Sequence, residues 1–211
     1  MKTVYFVRHG EAEVNLGTHF KGEDSPLTEL GKEQARFIAE RVKRLPFDLL
    51  VASTMVRARE TAQAISSATG KSILLSDLFC ERRIPSVLEG RSRADEDANR
   101  LYAEWTKSFV LDGVRAADGE NFADICERAG KALIFLENRP EKNIVVAGHG
   151  FFTRMLIARM WYGESLSAEK FEPLEWGMRT KNTGISILKY DPEDMHRPWW
   201  LLVWNDHSHL G

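Results

Sequence analysis

A chain of 211 residues, 43% hydrophobic and free of low-complexity tracts, is long enough to bury one sizeable core. Its 29 basic residues are set against 31 acidic ones for a net charge of −2, and Arg82-Arg83 and Arg91-Ser92-Arg93 are balanced by Glu81, Glu89, Asp95, Glu96 and Asp97, which leaves no nucleic-acid footprint. No apolar run approaches a membrane span, the start lacks a signal-peptide core, and Cys80 and Cys126 have no metal spacing, so a soluble cytoplasmic protein with reduced thiols and no membrane or nucleic-acid partner is expected.

Thr3 to Val7 is an apolar, β-branched run too short for a helix and without alternation, as expected of a strand buried on both faces of a parallel sheet. It ends in Arg8-His9-Gly10-Glu11, where open α/β sheets place their ligands. An arginine fork can grip an anion, an imidazole can attack or shuttle a proton, and a glycine admits close backbone approach. Asn15 to Pro26 reads as a loop and Thr28 as a helix cap, followed by Leu30, Phe37, Ile38, Val42 and Leu45 at helical spacing until Pro46. Leu49 to Ala52 reads as the second strand. Ser53 is placed to cap a helix with Met55, Ala58, Ala62, Ile65 and Ala68 on its inner stripe, closed by Gly70. Ser72 to Leu75 is a third strand, and this β-α-β-α-β order predicts a parallel sheet with right-handed crossovers.

Asp77 to Arg93 fits no period and is expected to be a long loop, then Ala94, Ala98, Leu101, Tyr102 and Trp105 restore a helix. A second loop is expected from Asp112 to Glu120, and together these segments suggest a lid over the sheet edge. Asn121 caps a further helix bearing Phe122, Ile125, Ala129, Ala132 and Leu136. Ile144 to Ala147 is then a buried strand ending in Gly148-His149-Gly150 at the start of a helix with Phe152, Met155, Leu156 and Met160, an amino end that favours an anion. Ser167 to Leu174 reads as a short helix. Gly184 to Tyr190 and Trp199 to Trp204 are the last strands, joined by the turn Asp191 to Asp194.

Arg8-His9-Gly10-Glu11 with Asn15, Leu27-Thr28 with Gly31 and Gln34-Ala35, Ser53 with Arg57-Ala58 and Thr61-Ala62, and Gly148-His149-Gly150 together resemble the histidine phosphatase superfamily. The blocks follow the family's order over residues 3 to 190, which is more specific than any single tripeptide. The resemblance implies a three-layer α/β/α sandwich with a mainly parallel central sheet, of the phosphoglycerate-mutase-like kind. It implies one domain over residues 1–211 with a lid-like insertion at about 77–121, and no cofactor.

The resemblance also assigns roles. His9 matches the nucleophile, with its other ring nitrogen held by the Gly10 carbonyl, and Arg8, Arg57 and His149 match the phosphate pocket. Two guanidinium groups and an imidazole can neutralise the equatorial oxygens of a transferring phosphoryl group, so no metal is called for. Asn15 and Gly150 are expected to touch substrate. The leaving alkoxide needs a carboxylic acid, for which Glu81 is the first choice and Glu89 the second, ahead of Asp77 and Glu11. His207 and His209 lie in a terminal segment expected to lack the ligands and the ordered frame of a metal site. The implied activity is hydrolysis of a small phosphate monoester, such as a sugar phosphate, through phospho-His9. The alternatives are a phosphoglycerate-type mutase, a phosphoprotein phosphatase, or a non-catalytic phosphate-binding scaffold. Arg82, Arg83, Arg91 and Arg93 are candidates for reading a second anionic group. A homodimer is possible, since nothing in the sequence fixes the oligomeric state.

Overall fold

The computed structural model describes residues 1–211 except Lys21 and Asp112. Lys21 falls in the expected loop from Asn15 to Pro26, and Asp112 opens the second expected loop; both lie outside the described residues.

Among the described residues the strands are β1 (Lys2–Arg8), β2 (Leu49–Ala52), β3 (Ile73–Leu75), β4 (Asn143–Gly148), β5 (Ile185–Tyr190) and β6 (Trp199–Asp206). They form one sheet in the order β3-β2-β4-β1-β5-β6. The first four pair in parallel, and β5 and β6 run antiparallel at the other end. The helices are α1 (Glu29–Val42), α2 (Val56–Thr69), α3 (Glu96–Lys107), α4 (Phe122–Glu137), α5 (Gly150–Tyr162) and α6 (Ala168–Gly177).

Alternation along the strands divides the core between two layers of helix. Val4, Phe6, Ile144 and Val146 pack with Ile125, Ala129 and Leu136 of α4 and Met155 and Leu156 of α5. Tyr5, Val7 and Val145 face the opposite way, onto Ile38 and Val42 of α1 and Ile65 of α2. The result is the expected three-layer α/β/α sandwich with a mainly parallel sheet.

Some local expectations are corrected. Leu30 and Phe37 are 49% and 50% exposed, because α1 turns its small residues Gly31 and Ala35 inward along with Ile38, Ala39 and Val42. Gly31 meets the loop after β1 so closely that a Cβ on it would stand 1.9 Å from the Glu11 carbonyl oxygen. Ser53 does not cap α2; the position before the helix is Met55, and Ser53 is used elsewhere. The 77–93 stretch is not a plain loop. It contains single helical turns at Asp77–Phe79 and Ser86–Leu88, with Phe79 and Leu88 fully buried, and a strand-like bridge between His19 and Ser92.

Candidate active site

The nucleophile-like histidine is placed by backbone pairing. Arg8 of β1 stands in register with Gly148 of β4, so the next residues, His9 and His149, leave the sheet side by side with ring centroids 5.1 Å apart. The His9 N–H donates to the Gly148 carbonyl at 2.9 Å. His9 Nδ1 lies 2.6 Å from the Gly10 carbonyl, which can only accept, so that nitrogen carries the proton and Nε2 keeps its lone pair. Burial, then Arg57 and Arg8, hold His9 well below the ordinary imidazole range, against the raising effect of the Gly10 bond. A neutral ring with a fixed tautomer is what a nitrogen nucleophile requires.

The glycine-bearing turn is fixed from several elements. The Gly10 N–H donates to Thr61 Oγ1 of α2 at 3.1 Å, and that hydroxyl donates to the Arg57 carbonyl. The Glu11 N–H donates to Gln34 Oε1 at 2.8 Å, while Thr28 donates to the Glu11 carboxylate and caps α1 through the Gly31 N–H. On the far side, Asn182 and the Thr183 N–H donate to the His9 carbonyl at 3.1 and 3.3 Å. Thr183 does so at φ 60, a left-handed conformation uncommon for a β-branched residue.

Two guanidinium groups converge here. Arg57, 4% exposed, donates to the Gly22 carbonyl at 2.9 Å and keeps a buried Nε with no protein partner. Arg8 donates to the Thr180 carbonyl at 2.6 Å. Burial lowers both below the usual arginine range, yet both stay charged at neutral pH. Gly150 opens α5, and a Cβ there would stand 2.4 Å from Thr180 Oγ1 and 3.4 Å from Arg8 Cδ, so the glycine leaves Arg8 its path. His149 is fully buried, its Nε2 is 2.9 Å from Ser53 Oγ, and its Nδ1 has no protein partner.

Glu81 joins this cluster. Its carboxylate accepts from the N–H groups of Phe152 at 2.9 Å and Phe151 at 3.1 Å, on the first turn of α5, and its charge acts on Arg8 and Arg57. Glu89 is exposed and lines the outer cavity. Asn15 is also exposed, and its Oδ1 accepts from the Ala12 N–H at 2.9 Å, which spends that atom on its own turn. Among the described residues no cluster of His, Cys, Asp and Glu is arranged for a metal ion.

Several supports were not read from the sequence. Arg128 of α4 donates from Nε and Nη2 to both oxygens of Glu120, at 2.8 and 2.7 Å, and also reaches the carbonyls of Leu78, Cys80 and Glu81. It thereby pins the segment that carries Glu81. A buried arginine on a helix face and a glutamate eight residues earlier leave no local pattern. Beyond the cluster opens a cavity of about 430 Å³ whose wall includes Arg57, Glu81, Phe20, Tyr102, Trp105 and Arg93. Arg82 and Arg83 are committed to protein partners: Arg82 to the carbonyls of Glu120 and Trp105, Arg83 to Glu23. Arg91 pairs with Asp95, whereas Arg93 stacks its guanidinium over Phe20 and Tyr102 with no carboxylate partner among the described residues.

The family model described as histidine phosphatase superfamily (branch 1) matches residues 4–207. The chain belongs to that superfamily. Over its whole length it is 32% identical to 95% of the protein named probable phosphoglycerate mutase GpmB of Photorhabdus laumondii. Among solved structures it is similar to the alpha-ribazole phosphatase of Shigella flexneri, with a TM-score of 0.79 at 25% identity, covering 97% of this chain and 96% of that one. It is also similar to a phosphoserine phosphatase mutant of Entamoeba histolytica in complex with phosphoserine, with a TM-score of 0.75 at 25% identity over 100% of both chains. Family and neighbours support the class of phosphoric monoester hydrolases. No described helix is long and apolar enough to cross a membrane.

Proposed function

We propose that this protein is a metal-independent phosphatase that hydrolyses a small phosphate monoester through a phosphohistidine on His9. The observation that carries this reading is the 2.6 Å contact of His9 Nδ1 with the Gly10 carbonyl, which leaves Nε2 as a lone pair among the side chains of Arg8, Arg57 and His149. The phosphoryl oxygens lie against the two guanidinium groups and His149, which stabilise the charge spread over them in an in-line transfer. Glu81 protonates the leaving oxygen and then takes a proton from the water that attacks phospho-His9. The leaving group occupies the cavity of about 430 Å³, a size that suits a metabolite. Asn15 serves the turn after His9 more than the substrate. The chain acts as one domain with residues 77–121 as its lid, and two unpaired cysteines fit a reducing, cytoplasmic compartment.

The test is phosphate release from a panel of monoesters in EDTA by wild type and His9→Ala, with rapid-quench trapping of an acid-labile phosphoryl-enzyme. Release and trapping in wild type, both lost in the variant, are expected; equal release by both proteins overturns the nucleophile. The GpmB relatives keep a second reading in play, transfer to a hydroxylated acceptor. In the same assay, acceptor phosphorylation outrunning release to water decides for the mutase.

A further inference from the structure

Behind His149 runs a line of hydrogen bonds that has only one allowed direction. At its exposed end the Thr54 hydroxyl donates to Asp77 Oδ1, an atom that only accepts when the carboxylate is ionised. Thr54 Oγ1 lies 3.2 Å from Cys80 Sγ, and with its own proton committed it receives the thiol S–H. The sulfur accepts the Ser53 hydroxyl at 3.4 Å. Ser53 Oγ accepts the Met55 N–H at 3.2 Å, and it stands 2.9 Å from His149 Nε2. Having given its proton to sulfur, Ser53 can offer His149 only a lone pair. The His149 proton therefore sits on Nε2, and Nδ1 is bare.

That bare nitrogen is buried, without a protein partner, and is the one polar atom of the ring left for a ligand. Burial, then Arg57 of α2, His9, Arg128 of α4 and Arg8 of β1, keep the ring neutral; Cys80 touches Ser53, and Glu81 sits on the helix start beside it. A lone pair facing a phosphoryl oxygen repels it, and only a proton placed between them turns the contact into a hydrogen bond.

We propose that the phosphate ligand binds with uptake of one proton, shared between a phosphoryl oxygen and His149 Nδ1, and that Asp77, Thr54, Cys80 and Ser53 are positioning residues that keep Nδ1 free to take it. The balance is simple: neutral ring, dianion and one proton combine into an Nδ1–H···O contact, and product release returns the proton. The proposal rests on the site being a phosphate site, but its first test does not.

Histidine-selective 15N NMR of the free protein reads the tautomer directly. His149 is expected as the Nε2–H form in wild type. In Thr54→Val the thiol loses its acceptor, turns to Ser53, and reverses the line, so His149 becomes the Nδ1–H form; Thr54→Ser restores the first state. An Nδ1–H ring in wild type, or no change in Thr54→Val, overturns the relay whatever the protein hydrolyses. Calorimetry with inorganic phosphate at about pH 8, in buffers of different protonation enthalpy, then counts protons: about one taken up in wild type, about none in Thr54→Val, and about one again in Thr54→Ser. No uptake in wild type overturns the proposal. So does uptake that survives Thr54→Val and is lost in Glu81→Gln, which places the proton on Glu81.

Discussion

Thr183 Oγ1 and His209 Nε2 stand 3.0 Å apart, and this contact ties the last turn of the chain to the segment that holds His9. The Thr183 hydroxyl already donates to the Asn182 carbonyl, so it accepts from the ring, while Arg41 donates to His209 Nδ1 at 3.0 Å. Arg41 also pairs with Asp206 at the end of β6. The tail expected to lack an ordered frame is thus docked through a neutral histidine, and the Thr183 backbone passes that anchorage on to the carbonyls of Arg8 and His9.

The docked ring gives a pH-dependent stability. Burial and Arg41 bring His209 down to about 4, so between that value and the unfolded value near 6.5 the unfolded chain binds more protons. Stability is full above about pH 6.5 and falls as pH drops toward 4. Because the residue is only partly buried, screening reduces this to on the order of 1 kcal/mol. Melting curves at pH 7 and pH 5 should show a smaller drop in Tm for His209→Ala than for wild type. An equal drop removes His209 from the account.

Arg128→Ala removes the two-pronged partner of buried Glu120 and frees the carbonyls of Cys80 and Glu81. The expected cost is about 3 kcal/mol of stability, read by urea denaturation, because the buried carboxylate keeps only the Arg83 N–H at 2.8 Å and a 3.9 Å contact with the Arg83 guanidinium. Glu120→Gln should cost less, since the amide still accepts one of the two bonds. A loss below about 1 kcal/mol for Arg128→Ala contradicts the pairing's structural weight.

Glu81→Gln tests the proton-donor role proposed for Glu81 separately from the nucleophile role proposed for His9. For alkyl phosphates, whose leaving group needs a proton, kcat should fall by about 10²–10⁴-fold. For an aryl phosphate with a good leaving group the loss should be much smaller. A uniform loss across leaving groups assigns Glu81 to positioning and reopens Glu89.

Arg93→Ala tests the outer cavity. If its guanidinium meets a second anionic group on the substrate, KM for monoesters bearing a carboxylate or second phosphate should rise by roughly 10–100-fold, the worth of a hydrogen bond to a charged group. KM for a plain aryl phosphate should stay unchanged. Equal effects on both classes count against a second anion site.

His9 sets the acid limb of the rate profile. Since burial and the two arginines keep its ring neutral well below the ordinary range, kcat/KM should hold its value as pH falls through about 6.5. A limb that follows an unperturbed imidazole shows that protonation of His9 is not suppressed.

The layered sheet was legible because β1, β2 and β4 are runs of buried residues, and because both histidines follow such runs directly. Arg57 was found only through the block from Ser53 to Ala62; its own helix periodicity marks it no more than Arg59. What the sequence concealed is long-range. Leu30 and Phe37 looked like an inner face, but the close approach of Gly31 to Glu11 demands small residues there. Ser53 reads as a cap by type, yet its oxygen is claimed by a histidine 96 positions away. Thr183 and Asn182 hold the His9 carbonyl from the far end of the chain, and no local pattern announces a threonine at φ 60.

The parallel ladder between β1 and β4 has a further meaning. The spacing of the two imidazoles is set by neighbouring strands in register, Arg8 against Gly148, and not by the chain that connects them. The outer wall of the cavity, with Phe20, Arg93 and Tyr102, can change while the two rings keep their separation, whereas Ser53, Arg57, Thr61 and Glu81 in the same span are tied to the site by their own contacts. The lining that meets the rest of a substrate can thereby drift without altering the spacing of the two imidazoles, because neighbouring strands and not that lining set it.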